Sequence, residues 1–229
     1  MSWIKKDTSV EVTQELEFTS NAISETNAYE VEITECRLAY AKDKTSKSVS
    51  LVVGVKTENG ETAKSFFTVI GRDGNTYFES TVAGKTVKKQ HFGLSIANTM
   101  FKILLDKEIF DVEPEKIIYE VYNKEEKEKE NVEGEGFPEI IGKKIGVCIQ
   151  MVRTIDGKDS REQGNIEHFF DLETGLFADE VDSGGKRKLD KWLAYAKPFK
   201  EIVKEAPKSA FGKKTEAKED EAPKRKWGR

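Results

Sequence analysis

Cysteine and histidine are scarce in this sequence, and long apolar runs are missing. The two cysteines, Cys36 and Cys148, cannot build a multi-bridge scaffold, and each lies in a strand-like run where a buried thiol is expected. The two histidines, His91 and His168, come with no CxxC or HExxH spacing, so a three- or four-ligand zinc site has almost nothing to be made from. No stretch approaches the ~20 apolar residues that cross a bilayer, and the opening MSWIKKDTSVEV lacks the hydrophobic run of a signal peptide. A cytoplasmic protein working without metal, cofactor or membrane is expected.

What is present is charge and aromatics. Charged residues make up 35% of the 229 residues, yet 13 Phe, 6 Tyr and 3 Trp are too many for wholesale disorder. Length and polarity suggest one domain, residues 28–200, between an acidic N-terminal arm at 1–27 and a flexible basic tail at 201–229. The net charge of -4 hides a mosaic: residues 36–105 carry 11 basic and 5 acidic side chains, whereas residues 106–135 carry 5 and 12. Screening limits reach to about 8 Å at physiological salt, so a polyanion at the 36–105 surface feels that local field more than the total. An acidic whole does not exclude nucleic acid.

Period-two alternation dominates residues 28–79. Val31 and Ile33 alternate with glutamates, the phase slips before Cys36 as a bulge would cause, and Val49, Leu51, Val53 and Val55 mark the clearest strand. Turns at 58–61 and 71–75 separate it from a strand at 64–70 and from Tyr77-Phe78. Leu94, Ala97, Phe101 and Leu104 then recur at helical spacing behind a candidate Ser95 cap. A short strand is expected around Ile117, Ile118 and Val121, a solvated acidic loop over 124–136, strands at 145–153 and 166–172, and a closing helix at 186–200 with Leu189, Trp192, Leu193 and Ala196 on one side. Mainly β, with five or more short strands and a helix inserted midway, this fits a partly open barrel of the OB type.

The candidate site interleaves rings and cations over 64–92: Lys64, Phe66, Arg72, Tyr77, Lys85, Lys88, Lys89, His91 and Phe92, with Lys56 and Arg153 on neighbouring strands. Parity puts Lys64 and Phe66 on a wet face and Phe67 in the core; Tyr77 is likewise expected wet and Phe78 inward. An exposed ring on a sheet can stack an unpaired base while lysine and arginine neutralise phosphates. Residues 82–90, with three lysines and little apolar content, are expected to form a loop able to close over a strand. Enzyme patterns fit poorly. Gly84-Lys85-Thr86 lacks the earlier glycine and the strand-to-helix setting of a phosphate loop, and Gly93-Leu94-Ser95-Ile96-Ala97 is better explained by helix capping than by a nucleophile elbow. The carboxylates at Glu167, Asp171 and Glu173, and at Asp179, Glu180 and Asp182, are clusters of a kind that arise cheaply in so acidic a chain.

The order FFTVIGRDGNTYF, then GKTVKKQHFGLSIAN, then a long acidic insertion before FPEIIGKKIGVCIQMVR resembles single-stranded DNA-binding proteins of short-tailed, schitovirus-like bacteriophages, over roughly residues 28–197. The resemblance implies an OB-type fold, sequence-independent binding of single-stranded DNA, and service in phage replication and recombination in the cytoplasm of the infected host. It also implies that the strand at 64–70, the turn at 71–75 with Tyr77, and His91-Phe92-Gly93 lie at or near the DNA. The chain departs from single-strand binders with acidic tails by ending in KRKWGR. Lys224, Arg225, Lys226 and Trp227 are therefore a candidate partner-binding tail for phage replication or recombination proteins or a polymerase. The alternative reading is a non-catalytic replisome or transcription adaptor that acts through that tail.

Overall fold

The computed structural model describes residues 21–82, 84–123, 127–156, 159–183 and 188–204. Strands β1 (Asn27–Tyr40), β2 (Val49–Thr57) and β3 (Thr62–Ile70) form an antiparallel meander whose inward residues are those the alternation selects. On β2 these are Val49, Leu51, Val53 and Val55; on β3, Ser65, Phe67 and Val69 are buried while Lys64, Phe66 and Thr68 face out. The β1–β2 register slips between Ile33 and Glu35. One extra residue on β1 is the bulge expected from the phase slip, and it leaves both Ile33 and Cys36 fully buried.

The bulged first strand is long enough to serve more than one partner. Residues 27–32 of β1 pair with β8 (Lys144–Asp156), and residues 31–40 pair with β2. Strand β9 (Asp159–Phe170) forms a hairpin with β8, and β10 (Lys200–Lys204) runs parallel to β8 on the edge shared with β1. The sheet curls until β9 faces β3: the Phe67 and Phe169 rings lie 5.9 Å apart, and Ser65 Oγ accepts the Ile166 N–H at 2.8 Å. No main-chain ladder joins those two strands, so this mainly β sheet is not closed.

Helix α1 (Phe92–Leu105) packs Leu94, Ala97, Met100 and Phe101 on the core, as their spacing predicts, and Phe101 meets Phe137 edge-on at 4.8 Å. Its start differs from expectation. His91 is the N-cap residue, without a side-chain capping bond, and Ser95 lies inside the first turn, its N–H donating to the His91 carbonyl at 3.1 Å. The helix begins early because Gly93 lies against the main chain of β3, where a Cβ would stand 2.4 Å from the Thr68 nitrogen.

Other expectations are corrected. Of the residues 82–90 expected as a loop, 82 and 85–90 instead belong to a hairpin of β4 (Tyr77–Val82) and β5 (Lys85–Gln90), a two-stranded sheet of its own. Residues 124–136, expected as a solvated acidic loop, contain β7 (Glu128–Gly136), paired along β6 (Glu115–Asn123). Both hairpins escape the alternation rule for one reason: neither contributes to the main core, so main-chain ladders and cross-strand pairs such as Glu79 opposite Lys88 hold them. The closing helix is shorter than 186–200. After α2 (Ala178–Ser183), α3 spans Lys188–Tyr195, Pro198 restricts the chain beyond it, and β10 follows. Leu189 and Trp192 pack on a second cluster of Cys148, Phe170 and Phe177, while Leu193 is exposed. Leu172 sits in a turn past the end of β9. The boundaries of the arm and tail also move: Ile23 is 2% exposed with its N–H on the Thr62 carbonyl at 3.0 Å, and residues 201–204 belong to β10. Residues 1–20 and 205–229 lie outside the described residues, among which no helix is long and apolar enough to cross a membrane.

Cys36 and Cys148 are buried free thiols, as expected, and burial pushes both up to about 12. At pH 8 about one thiol in ten thousand is then ionised. A thiol-reactive chromogen should leave the native protein unmodified and titrate both cysteines in denaturant; rapid native-state reaction would contradict the packing of β1 on β8.

Candidate nucleic-acid interface

Three segments meet at one end of the curled sheet: residues 41–48 between β1 and β2, the turn at 71–75 after β3, and the β4–β5 hairpin. Lys47 N–H donates to the Arg72 carbonyl at 3.1 Å, the Lys47 side chain lies over Gly74, and His91 N–H donates to the Thr76 carbonyl at 3.2 Å. Residues 41–48 and 71–90 hold seven cations, Lys42, Lys44, Lys47, Arg72, Lys85, Lys88 and Lys89, against three carboxylates. Two of the three are tied into their own turns. Asp43 accepts from the Thr45 N–H and hydroxyl, and Asp73 from the Asn75 side chain and N–H, which holds both carboxyls below the usual range. This end is electropositive and can draw in a polyanion.

Rings stand beside it. The Lys88 ammonium lies 4.4 Å from the centre of the half-buried Tyr77 ring, and its closeness to Tyr77 raises its pKa. Phe66 is 61% exposed on the outer face of β3, whereas Phe67 is buried, as parity requires. Phe78, expected inward, is instead 38% exposed with its ring 5.8 Å from His91, because β4 belongs to a separate two-stranded sheet.

Across the outer sheet face, Phe66 pairs with Val52 and Val52 with Arg37. The Arg37 guanidinium lies 4.1 Å from the Tyr119 ring of β6, and its Nε is 2.6 Å from Glu35. The β6–β7 hairpin therefore walls one side of that face. Arg37 and Tyr119, like Lys42, Lys44 and Lys47, were not singled out in the sequence. The lysines were visible only as charge, and the Arg37–Tyr119 stack joins positions that no local pattern connects.

Not every expected residue gathers here. Arg72, Tyr77 and Lys88 sit at the electropositive end, and Phe66 stands on the adjoining face. Lys85 and Lys89 share that end but lie on the opposite side of the β4–β5 hairpin from Tyr77 and Lys88. Lys64 borders Phe66 and is ion-paired with Glu35. Lys56 lies in a separate concavity among Glu30, Glu32, Glu58 and Glu61. Arg153 is occupied structurally: it pairs with Glu162 at 2.7 Å and Glu201 at 3.6 Å and lies 4.5 Å from the Phe199 ring, tying β10 to β8 and β9. His91 packs against Gly71 and Phe78 with its Nε2 buried, so it positions the turn. Phe92 is 82% exposed, but it borders a concavity of about 630 Å³ shared with Trp192 and Tyr195. Lys224, Arg225, Lys226 and Trp227 lie outside the described residues.

The enzyme-like patterns take structural roles. Gly84-Lys85-Thr86 turns into β5 rather than into a helix. Glu180, 1% exposed, accepts the N–H groups of Phe177 at 3.1 Å and Lys188 at 2.7 Å, joining the starts of α2 and α3. Among the described residues, no group of three or more histidine, cysteine, aspartate or glutamate side chains is placed to hold a metal ion. Compared with known protein families and with curated proteins, the chain matches none.

Proposed function

We propose that this protein is a non-catalytic, sequence-independent binder of single-stranded DNA, built on an OB-type barrel and serving phage DNA replication and recombination. The observation that carries the reading is the exposed Phe66 ring on a sheet face adjoining an electropositive end where Lys88 covers Tyr77. Rings of this kind stack on bases that a duplex keeps covered, and the surrounding cations track the backbone without reading sequence. The barrel type is supported by a meander whose long, bulged first strand is shared with β8, by α1 between β3 and β8, and by a seam where β9 approaches β3. The resemblance to the phage proteins, carried by the segments around Phe66, His91 and Arg153, points the same way.

The salt dependence of oligo(dT) binding tests the electrostatic half. Seven cations against three carboxylates at the binding end leave a surplus of four. Four neutralised phosphates give a log–log slope of about -3 for single strands. A slope near zero would contradict phosphate contact at this end.

A further inference from the structure

Strands β3 and β9 face each other without a main-chain ladder, and the gap between their outer faces holds a concavity of about 460 Å³. Phe66 and Lys64 line its β3 side, Arg161 and Gln163 its β9 side, with residues 22–24 beside them. Residues two apart on a strand share a face, so each side presents a pair of side chains outward. At this end the free edge of β3 is already used. Thr62 N–H donates to the Asn21 carbonyl at 2.6 Å, and the Thr62 carbonyl accepts the Ile23 N–H at 3.0 Å, so no edge group of that residue is left for β9. The two strands run the same way, since Ser65 meets Ile166 and Phe67 meets Phe169. Arg161 therefore lies toward the start of β3, and Phe66 stands between it and the electropositive end beyond Ile70.

Arg161 is the uncommitted cation of this concavity. Lys64 is ion-paired with Glu35, and Glu162, the carboxylate beside Arg161 in the chain, is held by Arg153 at 2.7 Å. Among the described residues, the exposed Arg161 guanidinium has neither an ion pair nor a hydrogen bond. Its planar fork of donors matches a phosphate. The volume is at the small end of the ~300–1,000 Å³ of ligand sites, room for a nucleotide and not for a duplex. We propose that the seam is a phosphate subsite for the single strand: one base stacks on Phe66, and Arg161 holds a phosphate farther along the same strand. The strand then leaves the electropositive end, passes Phe66 and runs into the β3–β9 seam instead of ending on the outer face of β2 and β3. The site rests on the proposed function, to which it adds a path and a contact. A ring alone leaves a base free to slide, whereas a phosphate gripped on each side of it sets the register.

The salt dependence of oligo(dT) binding by variants of the full chain reads the contact. Arg161→Ala should weaken binding and make the log–log slope about 0.7 less negative than that of wild type, the loss of one phosphate contact on a single strand. Lys107→Ala is the control for net charge. Lys107 is exposed past the end of α1, among Asp106, Glu108 and Asp111, and its loss should leave the slope unchanged. Both substitutions fall on exposed positions, and an unchanged urea midpoint checks the fold. A wild-type slope in Arg161→Ala, or the same change of slope in Lys107→Ala, would overturn the seam site while leaving single-strand binding in place. A wild type that binds no oligo(dT) would overturn the proposed function, and the seam site with it.

Discussion

Gly93→Ala is expected to lower stability by about 3 kcal/mol or more, at or beyond the upper end of ordinary overpacking. The added methyl would meet the Thr68 nitrogen at 2.4 Å, the Thr68 oxygen at 2.7 Å and the Phe67 carbonyl carbon at 2.8 Å. All three are main-chain atoms of β3 and cannot rotate aside, so either α1 lifts from the sheet or β3 shifts. Both movements open the cluster in which Leu94, Ala97 and Phe101 are buried with Phe67 and Phe169. Gly84→Ala is the control. Gly84 has a positive φ of 76° but open space around it, so only the left-handed backbone is penalised, by about 1–2 kcal/mol. Urea unfolding followed by circular dichroism should rank the two variants in that order. A Gly93→Ala midpoint equal to wild type would mean that α1 does not seat on β3 through this residue.

Phe66→Ala and Tyr77→Ala are expected each to weaken oligo(dT) binding by roughly 5- to 150-fold at constant salt, the range for losing one stacked base at about 1–3 kcal/mol. Phe66 is 61% exposed on the outer sheet face, so its loss leaves the core intact and any defect belongs to binding. Tyr77→Phe separates ring from hydroxyl. It keeps the face over which Lys88 stands, removes only the hydroxyl, and should retain most of the affinity. Unchanged affinity in both alanine variants would remove stacking from the binding mode even if binding persisted through the cations.

The sequence displayed those parts of the molecule in which one face meets the main core. The alternation on β2 and β3, the slip in β1 and the apolar stripe of α1 each follow from that single condition, and it also separated Phe66 from Phe67. It failed where strands pair without covering core. The β4–β5 and β6–β7 hairpins are polar on most positions, and their ladders depend on main-chain atoms that side-chain patterns do not report. It failed as well where a contact spans the chain. Arg153 has outward parity and looks available, yet Glu201 and Phe199 from the far end of the described chain occupy it. Ser95 looked like a cap because the helix boundary is set by the fit of Gly93 against β3, a tertiary fact.

Titration of the full chain with a fluorescent oligo(dT), beside a duplex of matching length at the same salt, tests single-strand recognition most directly. Stacking on Phe66 and Tyr77 needs uncovered bases, so the single strand should bind at least about fivefold tighter, the gain from one stacked base being ~1–3 kcal/mol. Equal affinity for the two, or tighter binding of the duplex, would contradict it.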